Sequence, residues 1–133
     1  MSSNKIIKFM KEKEIEYVDL RFTDTKGKHQ HVTMDATIVD DEMLNEGIFF
    51  DGSSIAGWKA INESDMILKP DLERQVIDPF ASHNTLILFC DVLDAVKKNP
   101  YERDPRSTAK KAEAYLKKSG IADEAFFGPE AEF

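Results

Sequence analysis

Tyr17-Val18-Asp19-Leu20-Arg21-Phe22 alternates apolar and polar residues with a period of two. Val18, Leu20 and Phe22 point one way, and Tyr17, Asp19 and Arg21 the other, which is the pattern of a half-buried strand. Asp24-Thr25-Lys26-Gly27 then supplies a turn, with Gly27 free to adopt positive φ. His29 to Met34 returns as a second strand, so the stretch from residue 17 to 34 reads as a β-hairpin. Before it, Asn4 to Lys13 places Ile6, Ile7 and Met10 on one helical face, with Ser2 or Ser3 as a cap.

After the hairpin, Asp40 to Asn45 reads as a short helix stopped by Gly47. Ile48-Phe49-Phe50 leads into the polar loop Asp51-Gly52-Ser53-Ser54. Met66 to Leu68 and Val76-Ile77 read as two short strands separated by Pro70 and Asp71. Thr85 to Val92 is a near-continuous apolar run, the mark of a strand buried on both faces. Asn99 to Arg103 is polar and reads as a boundary. Beyond it Asp104 and Pro105 are suited to the N-cap and first position of a helix running to about Ser119, with Gly120 as its stop. The helix carries Ala112, Tyr115 and Leu116 on one side, and a last strand is predicted over Gly128 to Phe133. The fold class is α+β: one domain over residues 1–103 and the opening of a second over 104–133.

Totals narrow the function. The chain has 133 residues, 41% hydrophobic and 32% charged, with a formal net charge of -7. That charge argues against nucleic acid as a partner, since phosphate binding needs a concentrated basic surface. No apolar stretch approaches the roughly 20 residues of a membrane span, and no signal peptide is visible. Cys90 is the single cysteine, so no internal disulfide forms, which points to a reducing compartment such as the cytoplasm.

Two stretches are candidates for chemistry. Glu130-Ala131-Glu132 on a strand places two carboxylates on one face, where their repulsion invites a hard divalent ion such as Mg²⁺ or Mn²⁺, or leaves them as a solvated face. Phe50 to Trp58 holds Asp51, Ser53 and Ser54 between glycines and large apolar residues. Asp51 there is either a proton acceptor or cation holder, or the cap of a turn bonding its own backbone. A serine nucleophile is disfavoured, because no histidine is close in sequence. His29 and His31 share a strand face and are metal candidates, against a plain solvent-facing strand. Trp58 with Phe49 and Phe50 reads as a core cluster or an interface anchor, the core being favoured, and Cys90 as a small core residue.

Taken together, Tyr17 to Asp24, Lys26-Gly27-Lys28, Phe50-Asp51-Gly52-Ser53-Ser54-Ile55, Asn62-Glu63-Ser64-Asp65-Met66, Asp78-Pro79-Phe80, Arg103-Asp104-Pro105-Arg106 and Gly128-Pro129-Glu130-Ala131-Glu132-Phe133 resemble type I, bacterial-type glutamine synthetases, in the family's order and over nearly the whole chain. The resemblance implies an N-terminal β-grasp domain, followed by the first helix and strand of an α/β catalytic domain. It implies a glutamate–ammonia ligase that uses ATP to make a γ-glutamyl phosphate, which ammonia then attacks, with Mg²⁺ or Mn²⁺ balancing the phosphoryl charge. Glu130 would ligate the metal nearer the nucleotide phosphates and Glu132 the metal nearer glutamate. Asp51 would bind ammonium and take its proton, with Ser54 beside it, in the active site of a neighbouring subunit of a double-ring dodecamer. That places Asp51, Ser54 and Trp58 at an interface and predicts a loop that is mobile in the isolated chain.

The remaining metal ligands, the substrate arginines and the ATP site of the family lie beyond Phe133, so the chain alone is expected to be inactive and reads as an N-terminal fragment. The alternative is a standalone β-grasp module that docks on full-length synthetase subunits. A third reading, within enzymes, is a relative that joins glutamate to another amine.

Overall fold

The computed structural model describes residues 2–58 and 64–132. Helix α1 (Ser3–Glu12) turns Ile6 and Met10 inward, and Ser2 stands at its cap position without a side-chain bond. Strands β1 (Tyr17–Thr23) and β2 (His29–Asp35) form the hairpin, antiparallel from Tyr17↔Asp35 to Thr23↔His29. Asp24 builds the turn: its carboxylate accepts the Lys26 and Lys28 amides and the Gln30 side chain, each at 2.9 Å, while Gly27 takes φ +84°.

Helix α2 (Asp41–Glu46) is capped by Asp40, which accepts the Met43 amide at 2.8 Å. Gly47 ends it at φ +85°, pressed so closely on β4 that a Cβ would lie 2.4 Å from the Leu68 carbonyl oxygen. Strands β3 (Ile48–Asp51), β4 (Asp65–Ile77) and β5 (Thr85–Asp94) complete one sheet in the order β2-β1-β5-β4-β3. All neighbours are antiparallel except β1 and β5, which run parallel from Tyr17↔Thr85 to Arg21↔Phe89. The apolar strand read over Thr85 to Val92 is therefore the centre of the sheet, and Leu86, Leu88, Cys90 and Val92 are fully buried. They meet Val18, Leu20, Met66 and Leu68 from neighbouring strands and Ile6 and Leu44 from the helices.

The two short strands read around Pro70 are one strand. Pro70 faces Cys90 while Gln75 faces Leu88, so the ladder slips across residues 71–74. Proline is tolerated there because β3 pairs only as far as Leu68, leaving one edge of β4 without a neighbour that needs an amide.

The boundary at residues 99–103 is built into the sheet. Where β1 stops at Phe89, the other edge of β5 is taken by this segment: Tyr101 donates to the Val92 carbonyl at 2.8 Å, the Asp94 amide donates to Asn99 at 2.9 Å, and Leu93 bridges Pro100. Asp104 then caps α3 (Pro105–Ser119), and Gly120 closes it in the left-handed conformation. Asp104 is fully buried. Its carboxylate accepts the amides of Arg106 and Ser107 and the Ser107 hydroxyl, and also the Val92 amide at 3.3 Å. One side chain thus starts the helix and fastens it to the central strand.

Of α3 only Ser107 is buried, and Tyr115 is largely exposed. The strand expected over Gly128 to Phe133 does not form over residues 128–132, and Phe133 lies outside the described residues. A strand exists by its ladder, and no described strand lies alongside this segment.

Candidate functional site

Asp51 is the last residue of β3 and the first of a tight turn over Gly52–Ser54. One carboxylate oxygen accepts both the Ser53 amide at 2.8 Å and the Ser53 hydroxyl at 2.6 Å. These two bonds hold the Asp51 carboxyl below its ordinary range, outweighing the small effect of burial. The turn is pinned from beneath. The Gly52 amide donates to the Ser64 carbonyl at 2.8 Å, and a Cβ on Gly52 would lie 2.3 Å from the Met66 sulfur. Only glycine lets the backbone lie this close to β4.

Behind the turn, Ile55 and Trp58 are buried. The Trp58 ring packs against Tyr101 at 5.3 Å, Phe22 at 5.6 Å and Phe50 at 6.3 Å. The Arg103 guanidinium donates to the carbonyls of Gly57 and Trp58, tying the loop to the boundary segment. The loop is held to the domain through contacts of Asp51, Gly52, Trp58 and Arg103. Trp58, placed at an interface by the resemblance, belongs to this domain's own core, as the residues alone suggested. Phe50 joins it, while Phe49 is 70% exposed.

What remains exposed is a ridge of Phe49, Asp51 and Ser54. Phe49 and Asp51 stand two residues apart on edge strand β3 and share its solvent face. The structure brings Asp51 and Ser54 into one turn. It places Glu130 and Glu132 on an exposed segment outside any sheet, and among the described residues no three His, Cys, Asp or Glu side chains gather as a metal site. Two carboxylates do not supply the about six oxygens that Mg²⁺ or Mn²⁺ takes, so these residues do not fit that ion by themselves. Of the motif residues, Asn62 and Glu63 lie outside the described set. Cys90 is buried as read, and burial pushes its thiol far above the ordinary range, which makes it inert.

Sequence reading missed Asp19. It lies on the polar side of β1, yet only 4% of its side chain is exposed. It accepts the Thr33 hydroxyl, His31 Nδ1 and Arg21 Nε, each at 2.7 Å, and Arg21 reaches on to Asp78 at 2.8 Å. Arg21 and Thr33 alternate outward on the hairpin, which is the signal that could have found it.

The family model described as "Glutamine synthetase, beta-Grasp domain" matches residues 14–95. The chain is 61% identical over 132 residues to the glutamine synthetase of Rhizobium meliloti (strain 1021), covering 99% of this chain and 28% of that protein. It is 56% identical over 133 residues to the glutamine synthetase of Escherichia coli (strain K12), again covering 28% of it. The chain thus spans about 28% of the length of these relatives. Among solved structures, a cryo-electron microscopy structure of Plasmodium falciparum glutamine synthetase superposes with a TM-score of 0.81 at 25% identity, over 92% of this chain and 24% of that one. Among the described residues no helix is long and apolar enough to cross a membrane. The sheet with its parallel β1–β5 pair and the helices on its buried face are thus the β-grasp domain, and the chain belongs to the glutamine synthetase family.

Proposed function

We propose that the chain serves as the N-terminal part of a cytoplasmic glutamate–ammonia ligase. A carboxylate is a poor electrophile, so ATP phosphorylates the glutamate side chain and ammonia displaces phosphate. The observation that carries this reading is identity of 56–61% to glutamine synthetases along the whole chain. Asp51 is the residue assigned to ammonium. Its bonds from Ser53 favour the ionised form, and an ionised carboxylate at an exposed ridge attracts a cation. Taking the ammonium proton asks the opposite of that carboxylate. A group held below its ordinary pKa is a weak base, so the transfer requires the Ser53 bonds to loosen or water to be excluded. Ser54 lies beside Asp51 as a polar neighbour.

Glu130 and Glu132 are proposed as two carboxylate ligands of a Mg²⁺ or Mn²⁺ site that needs further ligands from elsewhere. When bound, such an ion offsets phosphoryl charge. The exposed Phe49–Asp51–Ser54 ridge suits contact with a second subunit, in keeping with a ring-shaped homo-oligomer, a double-ring dodecamer in this proposal.

The test is a hybrid in which this chain replaces the matching part of the Rhizobium meliloti enzyme. The hybrid is expected to form glutamine from glutamate, ammonia and ATP, and Asp51→Ala to lower kcat by about 100-fold or more. Full activity of the Asp51→Ala hybrid refutes the assignment. The isolated chain is expected to yield no ATP- and glutamate-dependent product.

A further inference from the structure

The outer face of the hairpin carries two histidines whose chemistry differs from that of the carboxylates above. His29 and His31 lie two residues apart on β2, on the same side, and both are exposed. Their backbones are roughly 6.8 Å apart, two strand rises, a span that two imidazoles can bridge with metal–nitrogen bonds of about 2.0–2.1 Å.

His31 is oriented by Asp19. Its Nδ1 lies 2.7 Å from Asp19 Oδ1, and an ionised carboxylate only accepts, so Nδ1 carries the proton. In the neutral ring the lone pair is then on Nε2. Asp19 pairs with Thr33 across the ladder and His29 with Thr23, so Asp19 stands on the far side of His31 from His29. Nε2, at the other side of the ring from Nδ1, is turned away from Asp19. A histidine that donates one N–H to a buried carboxylate and offers the other nitrogen is the arrangement that fixes and strengthens a metal-ligating imidazole.

His29 is held differently. Its ring meets Phe89 edge-on at 6.1 Å, and its nitrogens bond no described residue. The Arg21 guanidinium opposite His31 is spanned by Asp19 and Asp78, so that cation is neutralised by its own partners.

We propose that His29 and His31 form a bidentate site for a borderline divalent ion of the Zn²⁺, Cu²⁺ or Ni²⁺ class, with Asp19 as the positioning carboxylate behind His31 and water in the remaining positions. Imidazole pairs select these ions over Mg²⁺ or Ca²⁺.

Untagged protein titrated calorimetrically with ZnCl₂ is expected to take up one equivalent at this site. His29→Ala and His31→Ala, both at exposed positions, are each expected to weaken binding at least tenfold. Asp19→Asn is expected to weaken it about 10–100-fold. In NMR spectra the ring signals of His29 and His31 should shift while those of His83 stay in place. Zinc affinity unchanged in both alanine variants overturns the proposal, as does a shift confined to His83 or a competition in which equimolar Mg²⁺ displaces the zinc. Glu130→Gln with Glu132→Gln should leave the titration unchanged; loss of binding there assigns the ion to those carboxylates and also overturns the proposal.

Discussion

Asp104 joins two elements through one carboxylate, and its removal leaves both the α3 amides and the Val92 amide short of a partner. Asp104→Ala is expected to cost about 2–3 kcal/mol, a lost cap plus an unpaired buried amide, read as a lower urea midpoint. Asp19 tells against reading residues one at a time. Burial pushes its carboxyl up, but bonds from Thr33, Arg21 and His31 outweigh this and hold it below the ordinary range. A carboxyl lowered in the folded state stabilises fully above the unfolded value of about 3.9, and that contribution is lost as pH falls below this through the lower folded value. The gap in urea midpoint between the protein and its Asp19→Asn variant should therefore narrow progressively as pH falls below about 5; a gap that stays constant would remove Asp19 from the acid response. The cap Asp104 and the stops Gly47 and Gly120 were legible because each acts on its own neighbours in the chain, whereas Asp40, read as the first helical residue, is the cap. Asp19 was not legible, because its three partners arrive from across the hairpin and along the strand, and its burial depends on the strand beside it.

Among elements, the hairpin, both longer helices and the central strand could be read from periodicity and capping. From sequence β4 reads as two strands because Pro70 is a breaker, and only the early end of β3 explains why the strand runs through it. The expected strand does not form over residues 128–132 for the complementary reason, since alternation supplies a face but not a ladder. The site followed the same division. The Asp51 turn is written in its own residues, whereas the burial of Trp58 rests on Phe22, Phe50 and Tyr101 from distant segments.

Helix α3 makes its own test possible. It is tied to the sheet at its first turns, where Arg106 bonds Asp91 at 2.9 Å and Asp71 at 2.7 Å, with Lys110 also on Asp91. Arg106→Ala is expected to speed amide exchange along α3 about tenfold while the exchange of β1 and β5 amides stays unchanged. Equal acceleration in both would make the helix part of the same cooperative unit.

At the scale of the molecule, one sheet face is packed and the helical end is not. Tyr115, Ile121, Phe126 and Phe127 are exposed by 74–91% around α3 and the segment after it. Exposed aromatics in one region bind apolar dyes and associate. Phe126→Ser with Phe127→Ser is expected to lower dye fluorescence and self-association in sedimentation without shifting the urea midpoint. A lower midpoint would mean that these rings support the fold.

The parallel pairing of β1 with β5 sets the order in which the domain can be completed on the ribosome. The hairpin ends at Asp35, and the strand that must lie between it and the β3–β4 pair begins only at Thr85. At about 5–20 residues per second, some 50 residues of synthesis, roughly 3–10 s, separate the two. Through that interval the nascent chain carries a hairpin with one apolar edge open, and the sheet closes as a unit when its middle strand is delivered last.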